Sequence, residues 1–155
     1  MNMRRPYIFR LEENKAIVRR WIEAENKKDL ASVSDLISPD YVEPTFQLKG
    51  FEGAKQLMAM SYKGFPDSHE TIEDIIAEGD KVWSRITFTG THTGEFLGLA
   101  PTGKKVTFTG VAVWHIVDGK IVDIWEVYDL LDFYKQLGVI EYTEKGKKLF
   151  PENVK

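Results

Sequence analysis

Two side chains in this sequence, Asp129 and His115, have the types and the spacing that acid–base chemistry needs. Asp129 follows an apolar, β-branched run that contains Trp125, and His115 lies near the end of the preceding apolar run. A carboxylate at the end of a buried strand loses hydration, which disfavours its charged form and suits it to proton exchange near neutral pH. We therefore expect Asp129 and His115 to face each other across a cavity as a catalytic pair.

Both residues also fit a structural interpretation. A helical pattern runs from Leu130 to Leu137 and is closed by Gly138, so Asp129 stands at its N-cap, where Asp is strongly preferred. A histidine on a half-buried strand more commonly satisfies local hydrogen bonds than takes part in catalysis. For Asp129 the two roles are compatible, so both interpretations stay open at this point.

The chain before this pair is typical of antiparallel strands. Two runs rich in Val, Ile and Thr, 104–117 and 120–128, flank Asp118-Gly119, the strongest short signal for a β-hairpin. Two earlier runs of the same kind, 69–77 and 81–93, are separated by a turn. Four consecutive strands with short connections predict one antiparallel sheet.

Helical patterns precede these strands. The first spans 12–28 and has one apolar face, the second is capped by Asp29, and the third occupies roughly 51–62. Helices followed by strands indicate the α+β class, with a strongly curved antiparallel sheet wrapped on the N-terminal helices into a cone with an internal pocket. We expect a single domain over 1–155, with its core at about 12–138, flexible ends and one extra turn near the C-terminus.

Further side chains are candidates for the wall of this pocket. Arg85 lies in the middle of a strand, where a structural ion pair is the simpler interpretation. His92 is either a surface residue or part of the pocket mouth, and the apolar loop 94–103 is expected to form the rim. The candidates for ligand contact are Trp21, Tyr41, Glu43, Phe46, Arg85, His92, Phe96, Val113 and Trp125.

Composition excludes several classes of function. Of the 155 residues 43% are hydrophobic and 29% charged, which is typical of a globular protein. A net charge of −3 argues against a nucleic-acid partner, because phosphate binding needs a basic surface. The chain has no cysteine and only three scattered histidines, which argues against a metal site. No apolar run reaches the ~20 residues of a membrane span, so we expect no membrane partner and a cytoplasmic location.

An ordered set of short segments resembles a known family, the SnoaL-like polyketide cyclases, also called ester cyclases. These segments are Phe65-Pro66-Asp67, Glu78-Gly79-Asp80-Lys81-Val82, 89–96, Pro101-Thr102-Gly103-Lys104, Asp118-Gly119-Lys120-Ile121, Trp125, Asp129 and Gln136-Leu137-Gly138. The resemblance covers about 12–138 and implies the cone-shaped fold of the nuclear-transport-factor-two-like superfamily.

The resemblance also implies a reaction. Members of the family close a ring by an intramolecular aldol reaction on a polyketide ester, with no metal or organic cofactor. Their acid/base is an aspartate near the end of the last long strand, which matches Asp129, and a histidine on the preceding strand matches His115. Where the family has a polar residue two positions before that histidine, this chain has Val113.

Three hypotheses follow for the function. The first is a cofactor-independent cyclase or isomerase that acts on a small hydrophobic carbonyl compound. The alternative is a non-catalytic protein that binds a small molecule in the same pocket, and the third is a structural dimer module whose pocket is filled by its own side chains. Because the last two strands carry apolar residues on both faces, we also expect a homodimer or homo-oligomer that forms through the sheet.

Overall fold

The computed structural model describes residues 7–43 and 47–150 of the chain. Phe46, a candidate for ligand contact, lies outside these described residues. Five helices and six strands are found in the described part of the chain. In order they are α1 (Tyr7–Lys27), α2 (Leu30–Ser34), β1 (Val42–Glu43), β2 (Leu48–Lys49), α3 (Gly50–Gly64), β3 (His69–Glu78), β4 (Lys81–Thr91), β5 (Lys105–Val117), β6 (Lys120–Tyr128), α4 (Leu130–Leu137) and α5 (Glu144–Leu149).

The four long strands form one antiparallel sheet in the order β3-β4-β5-β6. The predicted hairpin joins β5 to β6, and its turn residues Asp118 and Gly119 both have positive φ angles, 50° and 78°. Such angles match the type I′ turns that Asp-Gly sequences favour. The register skips Glu73 on β3 and Val122 on β6, and these two bulges increase the twist of the two edge strands.

The helices cover one face of this sheet, which we call the inner face. α1 lies against β3 and buries Ile17, Val18, Trp21 and Ile22 along one side, as its apolar spacing predicts. The Trp21 ring meets the Trp114 ring edge to face at 5.6 Å. This contact is the centre of the main core, and it anchors the first helix on the third strand of the sheet.

A second, smaller core of aromatic and aliphatic side chains lies at the other end of the sheet. It contains Phe65, Phe88, Val106, Phe133 and Leu137. α4 delivers the last two of these side chains, and both of its ends are capped as the sequence predicts. Gly138 ends the helix with a φ of 76°, a left-handed conformation that glycine adopts without steric cost.

The observed architecture is the predicted α+β class, with N-terminal helices on a curved antiparallel sheet. Two predicted boundaries need correction. The first helix begins at Tyr7 rather than near residue 12, so part of the expected flexible lead-in is helical. The C-terminal segment holds a six-residue helix, α5, where one extra turn was expected.

Small residues on the inner face of the sheet determine where space remains inside the cone. A Cβ atom at Gly110 would overlap the Tyr128 ring and lie 2.8 Å from the Val127 carbonyl oxygen. The missing side chain at Gly110 therefore allows Tyr128 to cross the inner face of the sheet.

We expect Gly110→Ala to lower the free energy of unfolding by about 1–3 kcal/mol, because the new methyl group forces Tyr128 out of position. Urea denaturation measures this change. Thr109→Ala, at the neighbouring position on the outer face, is the control and should change stability by less than about 0.5 kcal/mol. Equal stability of the two variants would contradict this packing argument.

Candidate active site

A cavity of about 550 Å³ lies between the inner face of the sheet and helices α1, α3 and α4; we call it the inner cavity. Most of its walls are aromatic or aliphatic. They include Trp21, Tyr41, Met58, Phe65, Phe88, Phe96, Phe108, Trp114, Ile124, Phe133 and Tyr134. A cavity of this size and character suits a small hydrophobic molecule.

Carboxyl groups interrupt this apolar wall. Glu126 and Tyr128 lie on the inner face of β6, because alternate residues of a strand point to the same side. Glu70 comes from the start of β3 on the opposite edge of the sheet. Glu25 follows Trp21 by one helical turn of α1 and lines the same space. Glu43, which is only 2% exposed, completes the set.

The side chains of Glu25 and Glu70 lie next to each other in the cavity wall and perturb each other's pKa. Burial, and after it the negative charge of Glu126, together raise the pKa of Glu70 to about 7. Burial also raises the pKa of Glu25 well above its usual range, with added repulsion from Glu70 and Glu126. A protonated Glu25 that donates to Glu70 is the arrangement that satisfies both groups at neutral pH.

Asn26 holds this pair in place from the neighbouring position on α1. Its Nδ2 donates to the backbone oxygen of Glu70 at 2.8 Å, and its Oδ1 accepts from the backbone nitrogen of Glu70 at 2.7 Å. The Trp21 indole donates to the Glu25 carboxyl. The pair is thus fixed by one hydrogen bond to a side chain and two to the backbone.

Glu126 is the carboxyl group in the cavity that contacts the Tyr128 hydroxyl. Its surface is open to the cavity, but the surrounding protein displaces bulk water and raises its pKa, while a hydrogen bond from the Tyr128 hydroxyl lowers it. Burial and the charge of Glu126 raise the pKa of Tyr128 well above its usual range. Tyr128 therefore remains a hydrogen-bond donor to an ionised Glu126.

Asp129 and His115 do not face each other across the cavity, so that prediction is wrong. His115 lies on the outer face of β5, where its Nε2 lies 2.8 Å from Oδ2 of Asp80. Asp129 is the N-cap of α4, with its Oδ1 accepting from the backbone nitrogen of Asp132 at 3.0 Å. It lines a shallow groove on the outer face of the sheet rather than the inner cavity. Strand alternation directs His115 away from the inner wall, and Asp129 lies beyond the end of β6 as the cap of α4.

Four of the other predicted contact residues, Trp21, Tyr41, Glu43 and Phe96, line the inner cavity. Phe96 belongs to the loop 94–103, as expected for the rim. These residues come from α1, the connection after α2, β1 and the β4–β5 loop. Lining the cavity gives the position of these residues, and their functional roles stay predictions.

Of the remaining predicted contact residues, Arg85 and Val113 lie away from the inner cavity, and Trp125 borders it. Arg85 projects from the outer face, and its guanidinium is paired with Asp74 at 2.6 Å, which is the structural ion pair that the sequence favoured. Val113 lies between Trp83 and Trp125 on that outer face, away from the cavity. Trp125 is 55% exposed and borders both the inner cavity and the outer groove.

His92 is fully buried, which corrects both interpretations of it as a surface or mouth residue. Its ring stacks on Phe65 at 5.2 Å, beside the second core. The backbone nitrogen of Thr102 donates to its Nδ1 at 3.2 Å, while Nε2 has no hydrogen-bond partner among the described residues. His92 therefore fixes the base of the rim loop to the end of β4.

The sequence analysis missed Glu25, Glu70, Glu126 and Tyr128. The sequence contained a spacing that could have indicated three of these four residues. Glu25 is one helical turn from Trp21, and Glu126 and Tyr128 alternate with the buried Ile124 on one strand. Glu70 carries no such signal, because it begins a strand whose neighbours are mostly polar.

Within 7–43 and 47–150, no group of three or more His, Cys, Asp or Glu side chains has an arrangement that could hold a metal ion. None of the helices in this part of the chain is long and apolar enough to cross a membrane.

The structure is an α+β cone, a helix-backed, curved antiparallel sheet around an apolar cavity that carries ionisable groups. Residues 15–137 match the family profile described as SnoaL-like polyketide cyclase, and the chain belongs to this family. The match covers the four long strands, α3 and the whole of α4, so the inner cavity lies within the shared region.

Individual relatives agree with this assignment. The chain is 34% identical to the aklanonic acid methyl ester cyclase AcmA of Streptomyces galilaeus, over 83% of this chain and 92% of that one. It is 30% identical to the nogalonic acid methyl ester cyclase of Streptomyces nogalater, over 76% and 91% of the two chains. The solved structure of AclR from Streptomyces galilaeus, described as a candidate hydroxylase, superposes with a TM-score of 0.75 at 34% identity, covering 87% of each chain.

The carboxyl groups of the cavity should make stability depend on pH. Between the ordinary glutamate pKa of 4.5 and about 7, an unfolded chain has ionised Glu70 while the folded chain keeps it protonated. The folded state then binds more protons, so the free energy of unfolding falls as the pH rises through this window. Glu70→Gln should reduce this fall by an amount on the order of 2 kcal/mol.

Urea denaturation at about pH 4.5, 5.5, 6.5 and 7.5 measures the effect, because these values span the window between the ordinary and the raised pKa of Glu70. Glu73→Gln is the matched control, because Glu73 is exposed on the same strand and should leave the slope unchanged. The same slope in the Glu70 variant and in the unmodified chain would contradict a protonated Glu70.

Proposed function

We propose that this chain is a cyclase-type enzyme that performs acid–base chemistry on a hydrophobic carbonyl compound in the inner cavity, without a cofactor. The observation that carries the proposal is the position of Glu126. It is a carboxyl group inside an apolar cavity, held by the Tyr128 hydroxyl, with a pKa that is raised above its usual range. A base of this kind can take a proton from a carbon atom next to a carbonyl group.

The remaining cavity wall supports the choice of substrate class. Phe96, Phe108, Tyr128 and Tyr134 are partly exposed in this wall and offer aromatic surfaces to a bound polycyclic molecule. AcmA and the nogalonic acid methyl ester cyclase are named for polyketide methyl esters, and these compounds are hydrophobic and rich in carbonyl groups. We propose aklanonic acid methyl ester or a close analogue as the first substrate to test.

The reaction is an intramolecular aldol addition. Glu126 removes a proton from the carbon next to one carbonyl group, and that carbon attacks a second carbonyl carbon in the same molecule. A carbon–carbon bond forms, and the second carbonyl oxygen must then receive a proton. Tyr128 positions Glu126 and favours its ionised form before the first step.

Asp129 and His115 are the rival assignment for the acid/base, as the family resemblance implies. Their location on the outer face argues against it, because neither lines the inner cavity. Glu126 and Asp129 are three residues apart, so matched substitutions can decide between them directly.

We expect Glu126→Gln to lower kcat for aklanonic acid methyl ester by about 100-fold or more, because the amide cannot accept the proton. Asp129→Asn should keep kcat within a few-fold, since Asn is as good an N-cap as Asp and leaves the cavity unchanged. Product formation followed by chromatography and mass spectrometry measures both effects, and thermal unfolding checks that both variants are folded.

The reverse pattern, an inactive Asp129→Asn and an active Glu126→Gln, would favour the acid/base that the resemblance implies. A folded wild-type chain that binds the ester without converting it would favour the alternative of a non-catalytic binding protein.

We also propose that the chain forms a homodimer through the outer face of the sheet. The register aligns Ile76, Trp83, Val113 and Trp125 in one row across all four strands. Ile76 is 68% exposed and Trp83 is 46% exposed. A contiguous apolar row on a sheet is typical of a surface that a second subunit covers.

Sedimentation velocity at micromolar concentration should show a dimer for the wild-type chain and a monomer for Trp83→Glu, since the new charge would be buried in the interface. Leu149→Glu is the control, because Leu149 is 78% exposed on α5, away from the sheet row. A monomeric wild-type chain would refute this proposal.

A further inference from the structure

The Glu25–Glu70 pair has a defined geometry that the action of Glu126 does not use. The two carboxyl groups come from α1 and from β3, and both line the inner cavity. The two side chains lie against each other in the same cavity wall, where burial and repulsion by neighbouring carboxylates raise the pKa of both and favour a proton on the pair. A pair of this kind can give a proton to a molecule bound in the cavity.

Several contacts keep the pair rigid. Asn26 binds both backbone groups of Glu70, and the Trp21 indole donates to Glu25. The Trp21 ring is itself fixed against Trp114. These residues position the pair but have no proton to give at neutral pH, so Asn26 and Trp21 are positioning residues.

Other ionisable groups face the pair from the elements packed around it. Glu126 and Tyr128 face it from β6, and Tyr62 faces it from α3. Tyr62 and Tyr128 both have pKa values raised above the usual range, with burial as the main cause, so both stay neutral. Of these groups, Glu126 is therefore the one whose change of charge most affects the pKa values of the pair.

We propose that the Glu25–Glu70 pair is the proton donor to the carbonyl oxygen of the bound substrate, opposite Glu126 as the base. This inference rests on the proposed function and assigns its second proton transfer. Glu126 and Glu70 stand on opposite edges of the sheet, β6 and β3, Glu25 joins Glu70 from α1, and all three line the same cavity.

Each proton and electron pair in this step has a source and a destination. Glu126 takes a proton from carbon, and the electrons of that C–H bond form the new C–C bond. The π electrons of the attacked carbonyl move to its oxygen, which takes the proton from the Glu25–Glu70 pair. Transfer of one proton from Glu126 back to the pair, through water after product release, restores the starting state.

The repulsion between these groups couples the two transfers. While Glu126 is ionised, its charge raises the pKa of Glu25 and Glu70 and keeps the proton on the pair. Once Glu126 has taken its proton, this charge is gone and the pair becomes a stronger acid. The pair thus donates most readily after the carbon proton has been removed.

The first measurement is a carboxyl ¹³C NMR titration of the full chain labelled at glutamate, with resonances assigned through Glu25→Gln, Glu70→Gln and Glu126→Gln. We expect Glu25 to stay protonated at about pH 7, where an ordinary glutamate side chain is ionised. Full ionisation of both Glu25 and Glu70 at that pH would overturn the inference without touching the role of Glu126.

The second measurement is the pH profile of kcat with aklanonic acid methyl ester. The wild-type profile should be a bell, with Glu126 on the acid limb and the pair on the alkaline limb. Glu25→Gln/Glu70→Gln should lower kcat by about 100-fold, leave KM within about threefold and remove the alkaline limb, whereas Glu73→Gln should match the wild-type chain. If the double variant does not fold, each single variant is compared in the same way.

Two outcomes distinguish the claims. A double variant as active as the wild-type chain, alongside an inactive Glu126→Gln, overturns the role of the pair and keeps the proposed function. A wild-type chain that does not convert the ester overturns the proposed function and the inference that rests on it.

Discussion

The contact on which the inner cavity depends is the two-fold hydrogen bond between the Asn26 side chain and the backbone of Glu70. Asn26 presents a donor and an acceptor to one residue of β3, as a neighbouring strand would. It thereby fixes the end of α1 to the free edge of the sheet. Because Glu25 precedes Asn26, the same contact sets the distance between the two carboxyl groups. One amide side chain thus controls both the closure of the cone and the geometry of its acidic pair.

The cavity concentrates like charges in a place where water is scarce. Glu25, Glu70 and Glu126 repel one another there, and burial is the largest cause of the raised pKa of each. Nothing in this arrangement stabilises the fold, since apolar side chains of similar size would pack without that repulsion. Ionisable groups with raised pKa values inside an otherwise apolar wall are the physical reason to take this cavity as the candidate site.

The sequence predicted the fold well because its signals are local. Asp118-Gly119 specified the hairpin, Asp29 and Asp129 specified helix starts, and Gly138 specified a helix end. The candidate site was predicted less well because it depends on which face of the sheet the helices cover. On β5 the outer set mixes Val111 and Val113 with polar residues, so the alternation around His115 is not a clean signal that Trp114 faces inward and His115 outward. That choice is made by the packing of Trp114 against Trp21, a contact between distant parts of the chain.

The comparison of Glu126 with Asp129 shows why residue type alone is a weak guide within a family. Both are carboxylates near the end of the same strand, and only Asp129 matches the family's aspartate by type. At Asp129 the strand has already ended, and one carboxylate oxygen is occupied by the first turn of α4. Glu126 is still within the strand, where alternation directs its side chain into the cavity, and its extra methylene group extends it further. A base must reach the carbon whose proton it removes, so position on the inner face outweighs identity of the side chain in the choice between the two.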